Sequence, residues 1–498
     1  MGVIPQVCFT AAAAGRKTER PSHAAASCRF PAKTGGRWQR PEAFLPALLI
    51  AAFGAGVPAS AQSLTEALSE AYRTNPQLLA QRALLRATDE LVPQALANWR
   101  PTVAFTGQTG YAVSAAPVPG GPTAYSHNRP SSLDLTATQQ VYRGGRTEAQ
   151  VQQAINTVEA TRAQTLAVET TVFQAVAQAY LDVVRDQDLL AVNRNNEYVL
   201  GQEFESTRIR VEIGELTGTD LAQAQAALEQ AKAQVVTAEG QLEISRANYT
   251  RAVGRPPGHL TVPRERPVLP ATREEALGLA ARDNPNVIST GFTELAARDN
   301  IDVVRGQLLP QVSATGDLSH AVSAATSSGA ITSSAASTAT ITATMTMPLY
   351  EGGAIYSQTR QAQQMVGQRR SQLDDARRAA VQTADQNWAA LEAARASIAS
   401  FTAAVRAAQI ALVGIQEEAL AGTRTVLDVL VAEQQLFTTQ AQLVTAEHDS
   451  AIAEFNVAAA TGRIIAPELR LPVHLYDMSR HYKAVKDKWI GFAGGLSQ

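Results

Sequence analysis

Apolar and polar residues alternate along this chain on two different periods. In "PTVAFTGQTGYAV" Val103, Phe105, Tyr111 and Val113 share one face, while Thr102, Thr106 and Gln108 lie on the other. In "SSLDLTATQQVY" Leu133, Leu135, Ala137 and Val141 oppose Asp134, Thr136, Thr138 and Gln140. Further on, Ala339, Ile341, Ala343, Met345, Met347 and Leu349 alternate with Thr338, Thr340, Thr342, Thr344 and Thr346. A period of two over ~10 residues, with small polar groups on one face, fits the strands of a membrane β-barrel and equally those of a soluble β-sandwich. The stretches between strands, "SAAPVPGGPTAYSHNRP" and "SAATSSGAITSSAAS", are rich in small residues and read as loops.

The second period is helical. Arg146 to Ile213 contains no proline, and its 68 residues would make ~100 Å of helix. Leu166, Phe173, Val176, Tyr180, Val183 and Leu190 keep coiled-coil spacing. After "GELTGTD" the chain returns with Leu221, Leu228, Val235, Leu242 and Tyr249 seven apart, and Ala224, Ala231, Ala238, Ser245 and Ala252 on the neighbouring seam position. So much alanine implies closely approaching helices.

The whole arrangement occurs twice. Asn75-Pro76 recurs as Asn284-Pro285, 209 residues on, and "WRPTV" recurs as "LLPQV" at the same distance. Tyr142, Gly144 and Gly145 recur as Tyr350, Gly352 and Gly353, and Asp220 recurs as Asp428, all 208 residues on. A period this long marks duplication of a domain-sized unit. The expected organisation is a signal peptide over 1–61, a first repeat over 62–255, a proline-rich linker over 256–271, a second repeat over 272–463 and a tail over 464–498. Each repeat would comprise a helix, two strands and a long helical hairpin.

Composition narrows the function classes. Aromatic residues make up only 5% and charged residues 18% of the 498, and the net charge of -2 leaves no basic surplus for nucleic acid. Arg29, Lys33, Arg37 and Arg40 precede the apolar run Ala43–Ala59, and small residues follow, so cleavage is expected after Ala61. Both cysteines, Cys8 and Cys28, would leave with that leader. No later segment reads as a membrane-spanning helix. The histidines are scattered and no H-E-x-x-H, G-x-S-x-G or phosphate-binding glycine loop occurs, so neither an enzyme nor a cofactor is expected.

If the strands lie in lipid, four per chain cannot remain open, because every edge N–H and C=O would lack a partner. Chains would then have to pool strands, and the helices would extend the barrel as a tube. At this point "PLYEGGAIYSQTRQAQ", "AVQTADQN", "GTRTVLDVL" and the paired Asn-Pro starts together resemble the TolC family of outer-membrane efflux and secretion proteins, in its type I secretion branch. The resemblance implies an α+β membrane protein: a homotrimer with a 12-stranded outer-membrane barrel, four strands per chain, continued by a periplasmic helical coiled-coil barrel. It also implies docking to a periplasmic adaptor and an inner-membrane pump of the ABC or RND type. By position it carries over Thr219 and Arg424 as an interchain pair at the helical tip, Asp220 and Asp428 at the tunnel entrance, and Glu203 with Gln416 higher up. Two family positions differ: a tyrosine is replaced by Ala419 and a second aspartate by Val431. Helix capping is the plainer reading of both aspartates. Tyr142 and Tyr350 suit an aromatic membrane belt, and the double glycines a bend from strand to helix. The competing class is a non-channel periplasmic adaptor, or a structural or adhesive coiled-coil protein.

Overall fold

The computed structural model describes residues 62–263, 265–327 and 330–492. The expected leader, its cleavage site and both cysteines lie outside them.

Two short helices open each half: α1 (Leu64–Thr74) with α2 (Pro76–Asp89), and α6 (Arg273–Asp283) with α7 (Pro285–Arg305). Each Asn-Pro pair does more than break a helix. The side chains of Asn75 and Asn284 cap α2 and α7 by accepting the N–H two residues on, with the proline in the first turn, where its missing N–H costs nothing. Their amides donate to the carbonyls of Ala252 at 3.3 Å and Ala460 at 3.0 Å. A short helix, α3 (Leu91–Leu96), follows α2.

The sheet is antiparallel throughout. Its order is β1 (Thr102–Thr109), β3 (Ala124–Arg143), β4 (Gln311–Ser327) and β5 (Ala330–Thr346), with β2 (Ala112–Ala116) prolonging the β1 edge beside β3. The strands are longer than the alternation predicted. β3 has 20 residues, and β4 and β5 have 17 each. Most of the two stretches read as loops is strand, because alternating Ala, Ser and Thr pair as well as larger residues once a neighbouring strand is supplied.

Register separates the two faces. Phe105, Leu135, Leu318 and Ala339 stand side by side on one, and Thr106, Asp134 and Ser319 on the other. On the polar face Thr136 donates to Asp317 at 2.8 Å. The apolar face is bare: Phe105 is 70% exposed and Ile341 92%. A bulge at Val141 advances β3 by one residue, so that Tyr142 pairs with Val312 and joins the apolar face instead of the polar one.

Below the sheet run α4 (Arg146–Glu212) and α8 (Ala354–Leu420), each 67 residues and so about 100 Å long. The return helices are α5 (Gly218–Val253) and α9 (Val426–Ala460). α7 lies against both α4 and α8 towards the sheet, and α9 does so towards the tip. One correction concerns α8, which contains a stretch apolar enough by composition to cross a membrane, although no such segment was expected after Ala61. At 67 residues it greatly exceeds the ~20 a bilayer needs, and like α4 it ends in a capped turn.

The main core lies midway along the hairpins, around Phe173, Tyr180 and Tyr249. The Tyr180 hydroxyl sits 2.8 Å from the carbonyl oxygens of Gln62 and Thr261 and accepts the Thr261 N–H at 3.3 Å. It thereby ties the start of the described chain to the linker. Buried Glu454 holds Arg266 of the linker at 2.9 Å and Arg395 of α8 at 3.1 Å.

Candidate gate and membrane junction

The two ends of the long helices carry the sequence-predicted residues. At the sheet end, Gly144, Gly145, Gly352 and Gly353 all have positive φ, a region that costs a side-chain-bearing residue ~1–2 kcal/mol. Gly145 and Gly353 occupy the positions just before α4 and α8. The two junctions differ in their neighbours. A Cβ on Gly144 would lie 2.4 Å from the Gly306 carbonyl oxygen and 2.7 Å from the Leu309 Cβ, whereas one on Gly352 would meet nothing within 4 Å. The first junction is therefore stitched to the second repeat, and the second is open. Tyr142 is half-exposed and Tyr350 almost fully exposed at this level.

At the tip, Asp220 and Asp428 each sit at the third position of a return helix in a reciprocal capping box. Thr217 and Thr425 accept the aspartate N–H, while each carboxylate accepts the threonine N–H at 3.0 Å. The Thr217 hydroxyl is the main influence holding the Asp220 carboxyl below the usual range, and the Thr425 N–H does the same for Asp428. The Thr-x-x-Asp spacing at both turns was the sequence signal for this arrangement.

Arg424 donates Nε to Glu418 at 2.9 Å within its own hairpin, and Glu418 raises its pKa. The other turn carries the opposite polarity, with Arg210 on the descending helix paired to Glu215 at 2.8 Å. Thr219, the second residue of α5, is exposed. Higher up, Gln416 donates to Glu433 at 3.1 Å rather than to Glu203. Burial raises the pKa of both Glu203 and Glu433, and the Glu203 charge raises that of Glu433 further. Glu418 and Glu433 were missed by sequence reasoning because their partners lie across turns and helices. An apolar cluster of Leu200, Ala231, Val426 and Leu430 fastens the first hairpin to the foot of α9.

Similarity to known proteins agrees with this geometry. A family model described as outer membrane efflux protein matches residues 67–255 and 276–463. The outer membrane efflux protein BepC of Brucella suis is 34% identical over 438 residues, covering 88% of this chain and 93% of the relative. The outer membrane protein TolC of Vibrio cholerae is 25% identical over 430 residues, covering 84% and 95% respectively. The fold resembles the crystal structure of the Campylobacter jejuni CmeC outer membrane channel, with a TM-score of 0.71 at 16% identity over 85% of this chain and 89% of that one.

Proposed function

We propose, for a chain that belongs to the outer membrane efflux protein family, that three copies close one barrel and one helical tube, and that the tube is gated at its periplasmic tip. The chain is an outer-membrane efflux or secretion channel. On this reading it performs no covalent chemistry of its own.

The observation that carries the proposal is a sheet with a bare apolar face and two unpaired edges, β1/β2 and β5, standing on helices of about 100 Å. In lipid those edges must pair, and the internal repeat supports one way of pairing them. Moving the Val103–Ala137 pair along by the two repeat spacings, 209 and 208 residues, gives Val312–Met345, a pair the chain contains. The same shift applied to Thr138–Thr315, which joins β3 to β4, gives Thr346 of one chain opposite Thr106 of the next. Three chains would supply 12 strand positions, whereas two would leave a barrel of eight with little lumen.

At the tip, Thr219 and Arg424 would meet between neighbouring chains, with Asp220 and Asp428 at the entrance and Glu203, Gln416 and Glu433 forming a second tier. Opening would be a population shift driven by an adaptor and an inner-membrane pump of the ABC or RND type. Exposed Ile213 and Leu420 at the turns offer apolar surface for such a partner. Cargo could be secreted protein, small molecules or both.

The test is oxidative cross-linking of Thr106→Cys with Thr346→Cys in outer membranes. Directly paired antiparallel residues have Cα atoms ~4.5–5.5 Å apart, within disulfide reach. A ladder ending at a covalent trimer is expected. No ladder, or an equal one from Thr106→Cys with Met345→Cys, whose side chain points to the opposite face, overturns the proposed closure.

A further inference from the structure

The tail beyond the second repeat does not end where the helices do. It climbs along α2 and α3 to the foot of the barrel, held by contacts at every stage. The Tyr476 N–H donates to the Tyr72 hydroxyl at 2.9 Å, and the Arg82 guanidinium lies between the Tyr72 and Tyr476 rings. In a last short helix, α10 (Arg480–Val485), His481 bonds buried Asp89 at 3.1 Å. Tyr482 takes the Arg162 guanidinium against its ring and packs on the cluster of Val92, Ala154 and Val158. Arg100 then donates to the Lys488 carbonyl at 2.6 Å and covers the Trp489 ring at 4.9 Å.

That final contact fixes the height of the tail. Arg100 is two residues before β1, and the carbonyl of its neighbour Trp99 accepts from Gln139 of β3 at 2.9 Å. So much anchoring delivers three side chains that stay largely exposed, Trp489 with Arg100 on one face of its ring. Trp489 is 66% exposed, Ile490 90% and Phe492 fully exposed. They stand level with the foot of the apolar sheet face, where half-exposed Trp99 and Tyr142 mark the end of the lipid-facing surface. Lys483 and Lys486 precede them, the latter 3.9 Å from the Asp487 carboxylate.

We infer that the tail is a membrane strap: residues 476–488 are a rigid stay, and Trp489, Ile490 and Phe492 insert into the periplasmic leaflet of the outer membrane beside the barrel. The occupant of this apolar surface is the lipid interface. The surface continues an existing lipid-facing one, aromatic side chains favour the headgroup level, and preceding lysines suit anionic phospholipid. Insertion is shallow, ~5–10 Å, as for an interfacial segment rather than a span. Each chain thus contacts the bilayer outside the barrel as well as through it.

The test places a nitroxide at single cysteines in the full channel, reconstituted in vesicles of phosphatidylethanolamine with a minority of phosphatidylglycerol. Ile490→Cys and Phe492→Cys are the probes, Ile341→Cys on the sheet face is the lipid control, and Leu475→Cys low on the tail is the water control. Labels at 490 and 492 are expected to respond several-fold more to oxygen than to a water-soluble nickel chelate, as at 341. A response like that at 475 overturns the strap, and so does a label immobilised and shielded from both reagents, which would mean that a neighbouring chain covers it. A water-like response at 341 would instead overturn the assignment of the sheet face to lipid, so the two failures are distinguishable.

Discussion

Gly144→Ala tests the junction between membrane and tube most directly. The substitution puts a Cβ at φ +63°, which costs roughly 1–2 kcal/mol in the left-handed region. It also sets that carbon 2.4 Å from the Gly306 carbonyl oxygen, a backbone atom that cannot rotate away. Relief requires a shift of the turn leading into β4, of the kind that costs ~1–3 kcal/mol in an overpacked core. The total is about 2–5 kcal/mol. Gly145→Ala is the internal control, since its φ is +73° but nothing lies within 4 Å of the new Cβ, leaving only the backbone cost. The assay is the temperature at which half of the SDS-resistant oligomer is lost from outer membranes. It should fall in the order wild type, Gly145→Ala, Gly144→Ala. Equal behaviour of the two variants would refute the Gly144–Gly306 contact. Gly352→Ala extends the test. Like Gly145→Ala it should carry only the backbone cost, because its φ is +60° and nothing lies within 4 Å of the new Cβ.

Three further outcomes are expected. Arg424→Ser should raise single-channel conductance in a planar bilayer, while Glu418→Ala, which removes the partner within the chain, should leave it near wild type; unchanged conductance in Arg424→Ser would remove Arg424 from the gate. Burial raises the pKa of Glu203 and Glu433 in this conformation of the tip, which therefore gains from protonation and loses stability as pH rises from the ordinary glutamate value of 4.5 upward, and the proposed gate takes this conformation as its closed state. Openings should therefore be more frequent at neutral than at acid pH, and Glu203→Gln with Glu433→Gln should flatten that dependence; a slope of the opposite sign would contradict the burial argument. Tyr180→Phe should leave the carbonyls of Gln62 and Thr261 and the Thr261 N–H short of partners, at ~1–3 kcal/mol, and make the linker easier to cut by limited proteolysis; wild-type resistance would mean that water replaces the hydroxyl.

The fold class was legible because its two periods are chemically loud. Leucine and tyrosine seven apart can only line a helical seam, and threonine at every second position from 338 to 346 can only stripe a strand. What was not legible depends on partners distant in sequence. Ala324 and Ala335 look like loop residues until β4 and β5 lie side by side and pair them with Ser333 and Val322. The bulge at Val141 shows only in the register with β4, so period two alone would set Tyr142 on the wrong face. At the tip, Arg424 was singled out as a charge in a turn, yet its partner Glu418 and the buried Glu433 below it appear only once α8 and α9 are antiparallel. The tail gave no periodic signal at all, since its path is set residue by residue through Tyr72, Asp89, Arg162 and Arg100.

The threonine face of the sheet has a consequence for what passes over it. Hydroxyls hold water firmly but carry no formal charge, and they turn to meet donors and acceptors alike. A wall of this kind offers a moving solute no preferred resting place, whatever its chemistry. Above Arg143 at the foot, the charged side chains on that face of the described strands are the carboxylates of Asp134 and Asp317. The wall would thus be indifferent to large cargo yet faintly partial to small cations, and the barrel would add to the preference of the carboxylates at the tip instead of leaving it to them alone.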